Sequence, residues 1–284
     1  MKVAAALPEA RPGHWRRRSL IVFAYCAWAV TLFGLAPRAW AYRPFDGTDA
    51  AVAETGEMEI EFGPAGYLRT GSQSWMVAPA AIANLGVASG WELVLEGKQL
   101  WRLGSATPAP ADSSRLVLTD NAFSLKHVLV DGILQGRPRP GLACEVSALL
   151  PALHEEGGFG AAAVVILSSS LGPVVTHLNL QAIFSRTHEP GGFLGLIVEG
   201  PQRWPVRPVL ELAGERERGG TGTLSALAGF IWTVSPSLAI DGAIRAGWQD
   251  EPLEEHVNLL ELRLGLTWSF PVFRRNGGCR HAES

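Results

Sequence analysis

Three groupings of residues in this 284-residue chain have the types that chemistry needs, and each fails on spacing. The first is serine, histidine and an orienting amide: His177, Asn179 and Ser185 fall on one face of a run that alternates polar and apolar residues. In an extended strand His177 and Ser185 lie roughly 27 Å apart, far beyond the reach of a nucleophile and its base. Only partners on neighbouring strands could complete such a triad, which leaves a barrel hydrolase as a minor alternative. The second grouping is metal ligands. His127, His154, His177, His188 and His256 sit on different segments without ligand spacing, and His154-Glu155-Glu156 lacks the second histidine of a zinc-protease helix. The third is Gly219-Gly220-Thr221-Gly222, which links two alternating runs instead of opening a helix, so a hairpin turn is expected rather than a phosphate cradle. Ser168-Ser169-Ser170 has no nucleophile elbow around it. The sequence therefore predicts no catalytic residue, no metal and no cofactor.

What remains is a set of polar residues recurring at every second position: Glu59, Glu61, Glu92, Glu96, Lys98, Lys126, Glu145, Asn179, Gln181, Glu211, Asp241, Arg245, Glu261 and Arg263. Such a set either lines a solute path with a mild preference for cations, because acids outnumber bases, or fills a narrow interior with a charge network. Both readings stay open at this point.

The elements that must position this set are strands. Leu260, Leu262, Leu264, Leu266, Trp268 and Phe270 share one face, opposite Glu261, Arg263, Gly265, Thr267 and Ser269. Leu238, Ile240, Ile244 and Trp248 oppose Asp241, Arg245 and Gln249, while Trp91, Leu93, Leu95 and Trp101 oppose Glu92, Glu96 and Lys98. Period two over such lengths excludes an amphipathic helix. Twelve strands are expected, near 56–62, 75–86, 90–102, 114–130, 141–152, 158–171, 173–187, 192–202, 206–216, 221–234, 237–249 and 256–270. Most are long enough to cross a bilayer, which takes about 9–11 residues. Outward-facing aromatics near strand ends suit the two membrane interfaces. Long, charged connections (Gly63–Ser74, Leu103–Ser113, Asp250–Glu255) alternate with tight turns such as Gly172-Pro173 and Ser235-Pro236-Ser237. The connection at 131–140 is longer than its side predicts. Bare strand edges cannot exist in hydrocarbon, so the first and last strands must pair. That pairing is expected to bring Glu57, Glu59 and Glu61 near Arg263 and Arg245 in a charge network.

The chain is 47% hydrophobic and only 18% charged, yet beyond its N-terminus it has no apolar run of the roughly 18 residues a membrane helix needs. Residues 1–41 read as an export signal: Arg11 and Arg16-Arg17-Arg18 precede an apolar stretch from Ser19 to Ala36, and Ala39-Trp40-Ala41 is a small-x-small cleavage site that leaves Tyr42 as the new N-terminus. An uncleaved anchor helix and a twin-arginine signal are the alternatives. Cleavage removes six basic residues and one acidic residue, leaving 18 basic against 26 acidic, a net charge of about −8 with no basic stripe. That argues against nucleic-acid binding. Cys144 and Cys279 are expected to be free thiols.

The start of the exported chain, Tyr42-Arg43-Pro44-Phe45-Asp46-Gly47-Thr48-Asp49, leads into Gly56-Glu57-Met58-Glu59-Ile60-Glu61-Phe62-Gly63. With Lys126-His127-Val128-Leu129, Leu150-Pro151, His177-Leu178-Asn179-Leu180 and the ending Leu264-Gly265-Leu266-Thr267-Trp268-Ser269-Phe270, it resembles a proteobacterial outer-membrane barrel family assigned to transport, related to proteins of phenol-degradation meta-cleavage pathways. The resemblance implies a barrel of about twelve strands and passage of small, including hydrophobic, compounds. It carries no catalytic residues. One departure is the polar tail, Arg274 to Ser284, beyond the aromatics Phe270 and Phe273 that would otherwise end such a barrel.

The expectation is an all-β, antiparallel transmembrane barrel over 56–273, with short periplasmic turns and longer external loops, preceded by the signal (1–41) and a segment (42–55) that either plugs the lumen or trails in the periplasm, and followed by the tail (274–284). Its expected role is passive passage of small solutes through the outer membrane. Its expected partners are outer-membrane lipid, the barrel assembly and periplasmic chaperone machinery, and the solute. A structural or adhesive barrel and a soluble periplasmic sandwich are the rivals.

Overall fold

The computed structural model describes residues 44–104, 116–153, 157–251 and 254–273. The expected signal and cleavage site, the polar tail, and Cys279 lie outside them. Alternation of apolar and polar residues produces twelve strands: β1 (Glu57–Thr70), β2 (Gln73–Ala88), β3 (Trp91–Arg102), β4 (Leu116–Val130), β5 (Gly141–Leu149), β6 (Gly160–Leu171), β7 (Val174–Phe184), β8 (Pro190–Glu199), β9 (Val206–Glu217), β10 (Gly222–Ser235), β11 (Leu238–Glu251) and β12 (Glu254–Pro271). Each pairs antiparallel with its sequence neighbours, and β1 pairs with β12, so the sheet closes into a barrel without an edge. Among the described residues the one helical piece is a 3-10 turn, Ile133–Gln135.

Closure decides which face meets what. The inward positions of β6, Ala162, Val164, Ile166 and Ser168, are all buried, while Val165 and Leu167 between them are exposed. On β12, Leu264 is 58% exposed and its neighbour Gly265 is buried. Leu180, Leu194, Leu212, Leu224 and Ile244 stand equally bare around the outside, and no second sheet or helix of the described chain covers them. Leaving one such side chain in water forfeits roughly 1.5–3 kcal/mol, so a continuous apolar belt of this size is stable only against hydrocarbon. Trp91, Trp232 and Trp268 ring the belt near one rim, and Trp101 and Trp248 near the other.

The strands run further than the sequence suggests at one rim. Residues 63–74, expected as a loop, are strand except for the two-residue link at 71–72, and in the expected loop at 250–255 β11 runs to Glu251 and β12 begins at Glu254. The misleading signal is Gly63-Pro64, which is a bulge rather than a turn. The register against β12 shifts between Phe62 and Ala65, β2 shifts against β3 between Val77 and Ala80, and β3 against β4 between Glu96 and Lys98. Proline lacks a donor for the ladder, so Pro64 and Pro79 sit where pairing is already interrupted.

The register also corrects the expected charge network. Glu59 and Glu61 stand opposite Ser269 and Thr267, whereas Arg263 stands opposite Gly66, further along the wall. Ser269 Oγ donates to Glu59 Oε2 at 2.7 Å, and Asn84 Nδ2 donates to Glu61 Oε1 at 3.0 Å. The arginines take their acids from β12 and from the N-terminal segment instead. Cys144 is a free thiol.

Candidate functional site: a stoppered lumen

Residues 44–55 precede β1 and lie outside the strand ladder, so their backbone groups must find other partners inside the barrel. Inward-facing side chains supply them. Asp46 N–H and Gly47 N–H donate to the two carboxylate oxygens of Glu211 at 2.9 and 2.8 Å. Asn179 clamps Thr48, its Oδ1 accepting the N–H at 3.0 Å and its Nδ2 donating to the carbonyl at 2.9 Å. Lys126 Nζ donates to Thr48 Oγ1 at 3.0 Å and lies 4.0 Å from Asp49. Ala50 N–H donates to Ser168 Oγ, and Ala53 N–H to Glu92. Gly47 permits the close approach: a Cβ there would stand 2.9 Å from Asn179 Nδ2.

Phe45 packs on Val209, Ile231 and Ala239, and Ala50 on Ala143, Val164 and Ile166. The over-long connection at 131–140 has its reason here. Its 3-10 turn presents Gln135, whose Nε2 donates to Ala50 O at 2.9 Å while its Oε1 accepts Gly132 N–H.

The Asp46 side chain forms the outer clasp. Arg245 Nη1 reaches Asp46 Oδ2, and Arg263 Nη2 donates to Asp46 Oδ1 at 2.6 Å. Glu261 joins the same pair, 2.7 Å from Arg245 and 2.8 Å from Arg263, and Arg263 Nη1 donates to Pro44 O at 2.6 Å. Withdrawal from bulk water pushes the Asp46 carboxyl up, but the Arg263 and Arg245 guanidinium groups outweigh it and hold the group well below the usual carboxylate range.

Beside this segment lies a cavity of about 550 Å³. Glu61, Glu92, Glu96, Lys98, Lys126, Glu145, Asn179, Gln181, Arg245, Glu261 and Arg263 all line it, so the period-two reading gathers most of its candidate residues around one space. Glu211 is turned to the N-terminal segment, and Glu59 and Asp241 lie outside the cavity lining. Among the described residues, the cations that line the cavity are engaged: Lys98 with Asp120, Lys126 with Thr48 and Asp49, and the two arginines with Asp46 and Glu261. Among the described residues, no hydrogen bond or ion pair engages Glu96, Glu145 or Glu215, all three of which face the same cavity.

Several participants escaped the sequence reading. Glu199 and Arg207 are inward and buried, and strict alternation with Ile197 and Val209 would have found them. Asp46, Thr48 and Gln135 lie in irregular segments, where periodicity has nothing to say. Ser168, His177 and Glu199 have the composition of a catalytic triad drawn from neighbouring strands. Ser168 is fully buried, however, and its oxygen accepts Ala50 N–H, so in this structure the arrangement holds the N-terminal segment.

No protein-family model and no curated protein sequence matches the chain. Solved structures do. The KdgM porin is 9% identical with a TM-score of 0.50, covering 75% of this chain and 99% of that one. An outer membrane channel from Pseudomonas putida F1 is 10% identical with a TM-score of 0.54, covering 80% and 100% respectively. At such identities the likeness is one of fold, and the resemblance to the phenol-degradation group is carried by its sequence motifs alone. This chain has the barrel architecture of outer-membrane channels.

Proposed function

We propose that the protein is an outer-membrane channel for small solutes whose own residues 44–53 stopper its lumen. The observation that carries this reading is the cavity inside a closed barrel with an apolar outer face, bounded by a segment held through side-chain contacts and not through strand pairing. Such contacts are individually exchangeable, and a solute bearing hydrogen-bonding groups can compete for each of them. In this reading residues 1–41 direct export, the chaperone and assembly machinery deliver the barrel to the outer membrane, and the rim bearing 172–173 and 236–237 faces the periplasm. Because the lumenal cations are engaged and Glu96, Glu145 and Glu215 are not, the path favours cationic over anionic solutes. The sequence resemblance adds small hydrophobic compounds as the class to try first.

Conductance in planar bilayers and solute uptake by liposomes test the reading. The full mature chain is expected to give small, cation-preferring currents. A purified barrel that gives neither current nor uptake, with or without residues 44–53, supports a structural role instead.

A further inference from the structure

Four inward side chains outside the lining of the solute cavity form a dry cluster around the inner end of the stopper. Ser168 on β6, His177 on β7, Glu199 on β8 and Arg207 on β9 all point inward and are almost wholly buried. Ala50 N–H donates to Ser168 Oγ at 2.9 Å, and the same oxygen lies 2.7 Å from His177 Nδ1. His177 Nε2 stands 3.6 Å from Glu199 Oε1, and Arg207 Nε 3.7 Å from Glu199 Oε2. Neither of those two nitrogens has a hydrogen bond.

A serine hydroxyl has one hydrogen and two lone pairs. One lone pair of Ser168 receives Ala50 N–H, so its hydrogen has a single recorded acceptor, His177 Nδ1. That bond requires a neutral ring with its own hydrogen on Nε2, toward Glu199. Adding a proton to Nδ1 reverses the bond. Ser168 Oγ then accepts from two N–H groups, and its own hydrogen is stranded in a fully buried position. Rotating Ser168 to relieve this gives up Ala50.

The groups facing the ring are Glu199 and Ser168, with Arg207 behind Glu199. On the plug side stand Asp49 and Lys126. Glu199 supplies the counter-charge that lets an imidazolium remain in the cluster.

We propose that His177 is a proton-operated latch on the stopper: neutral, it orients Ser168 to hold Ala50, and protonated, it releases that end. The proposal rests on residues 44–53 acting as a stopper. Acidification supplies the proton and is the trigger.

The full mature chain, recorded in planar bilayers at about pH 7.5 and about pH 5.5, is expected to spend about fivefold longer open at the lower value. His177→Asn keeps an acceptor for the Ser168 hydrogen but does not titrate, and it is expected to remove that rise. A conducting wild type with no rise, or a rise that survives in His177→Asn, overturns the latch. A second readout does not depend on conduction. With Cys144 and Cys279 replaced by serine, Val52→Cys is labelled by a membrane-impermeant thiol reagent, and the rate is divided by that of the same chain carrying His177→Asn at the same pH. The ratio is expected to climb on acidification, and a flat ratio overturns the latch. A barrel lacking residues 44–53 that passes no current contradicts the channel reading instead, and the labelling ratio still judges the latch.

Discussion

The two ends of the stopper are held by opposite kinds of chemistry. At the outer end Asp46 shares two arginines with the buried Glu261 in a charged knot whose Asp46, Arg245 and Arg263 remain partly exposed. At the inner end Ala50 is held by neutral hydrogen bonds, its N–H donating to Ser168 and its carbonyl accepting from Gln135, among Ala143, Val164 and Ile166. Charged contacts near water are strong in geometry but exchangeable, because salt and competing ions screen them. Neutral contacts in a dry setting are weaker one by one but have no competitor. In the proposed channel, a segment held this way would yield to solutes from the cavity side and stay anchored on the other.

The contrast can be broken most forcefully at the outer clasp. Arg245→Ala with Arg263→Ala strands Asp46 and Glu261 without counter-charges, and the expected loss is about 3 kcal/mol or more. It should be read as a lower urea midpoint and weaker heat-modifiable mobility on gels. An unchanged midpoint would show that the knot does not hold the barrel. Next in size is Asn179→Ala, which leaves both the N–H and the carbonyl of Thr48 without their partner for a cost of about 1–3 kcal/mol. Its signature is a longer open time with little change in barrel melting. Salt should sharpen the comparison with a smaller effect. Raising ionic strength from about 0.1 to about 1 M shortens the screening length from about 10 to about 3 Å, and it should increase opening of the wild type more than that of Arg245→Ala.

The smallest expected effect is one of pH. A carboxyl whose pKa falls on docking contributes stability above its free value, and that contribution is lost only as the pH drops through the lowered one. Asp46 is such a group. In a His177→Asn background the outer clasp should therefore be indifferent to acidification down to about pH 4. Opening that rises well above that value would show that Asp46 is not held in its charged form.

Most of the wall was legible because alternation is a local signal: a strand between lipid and lumen must change character at every residue, as Leu260 to Phe270 does. The ends of β1 and β2 were not. Gly63-Pro64 looks like a turn, and only pairing of Leu68 with Trp75 and of Leu262 with Tyr67 shows that the strand continues. The lining set was legible by the same alternation, but its partners were not. Which carboxylate meets Arg263 depends on register, and the β1 glutamates pair with Thr267, Ser269 and Pro271, well along β12 from Arg263. The contacts of the N-terminal segment could not be read at all, since an irregular chain takes its hydrogen bonds wherever the surrounding wall offers them.

The most direct measurement compares single-channel currents of the mature chain and of the same chain lacking residues 44–53, both shown to be folded by heat-modifiability. A stoppered channel is expected to give brief, small openings when intact and a steady, several-fold larger conductance when the segment is removed. Equal conductance in the two would contradict the stopper.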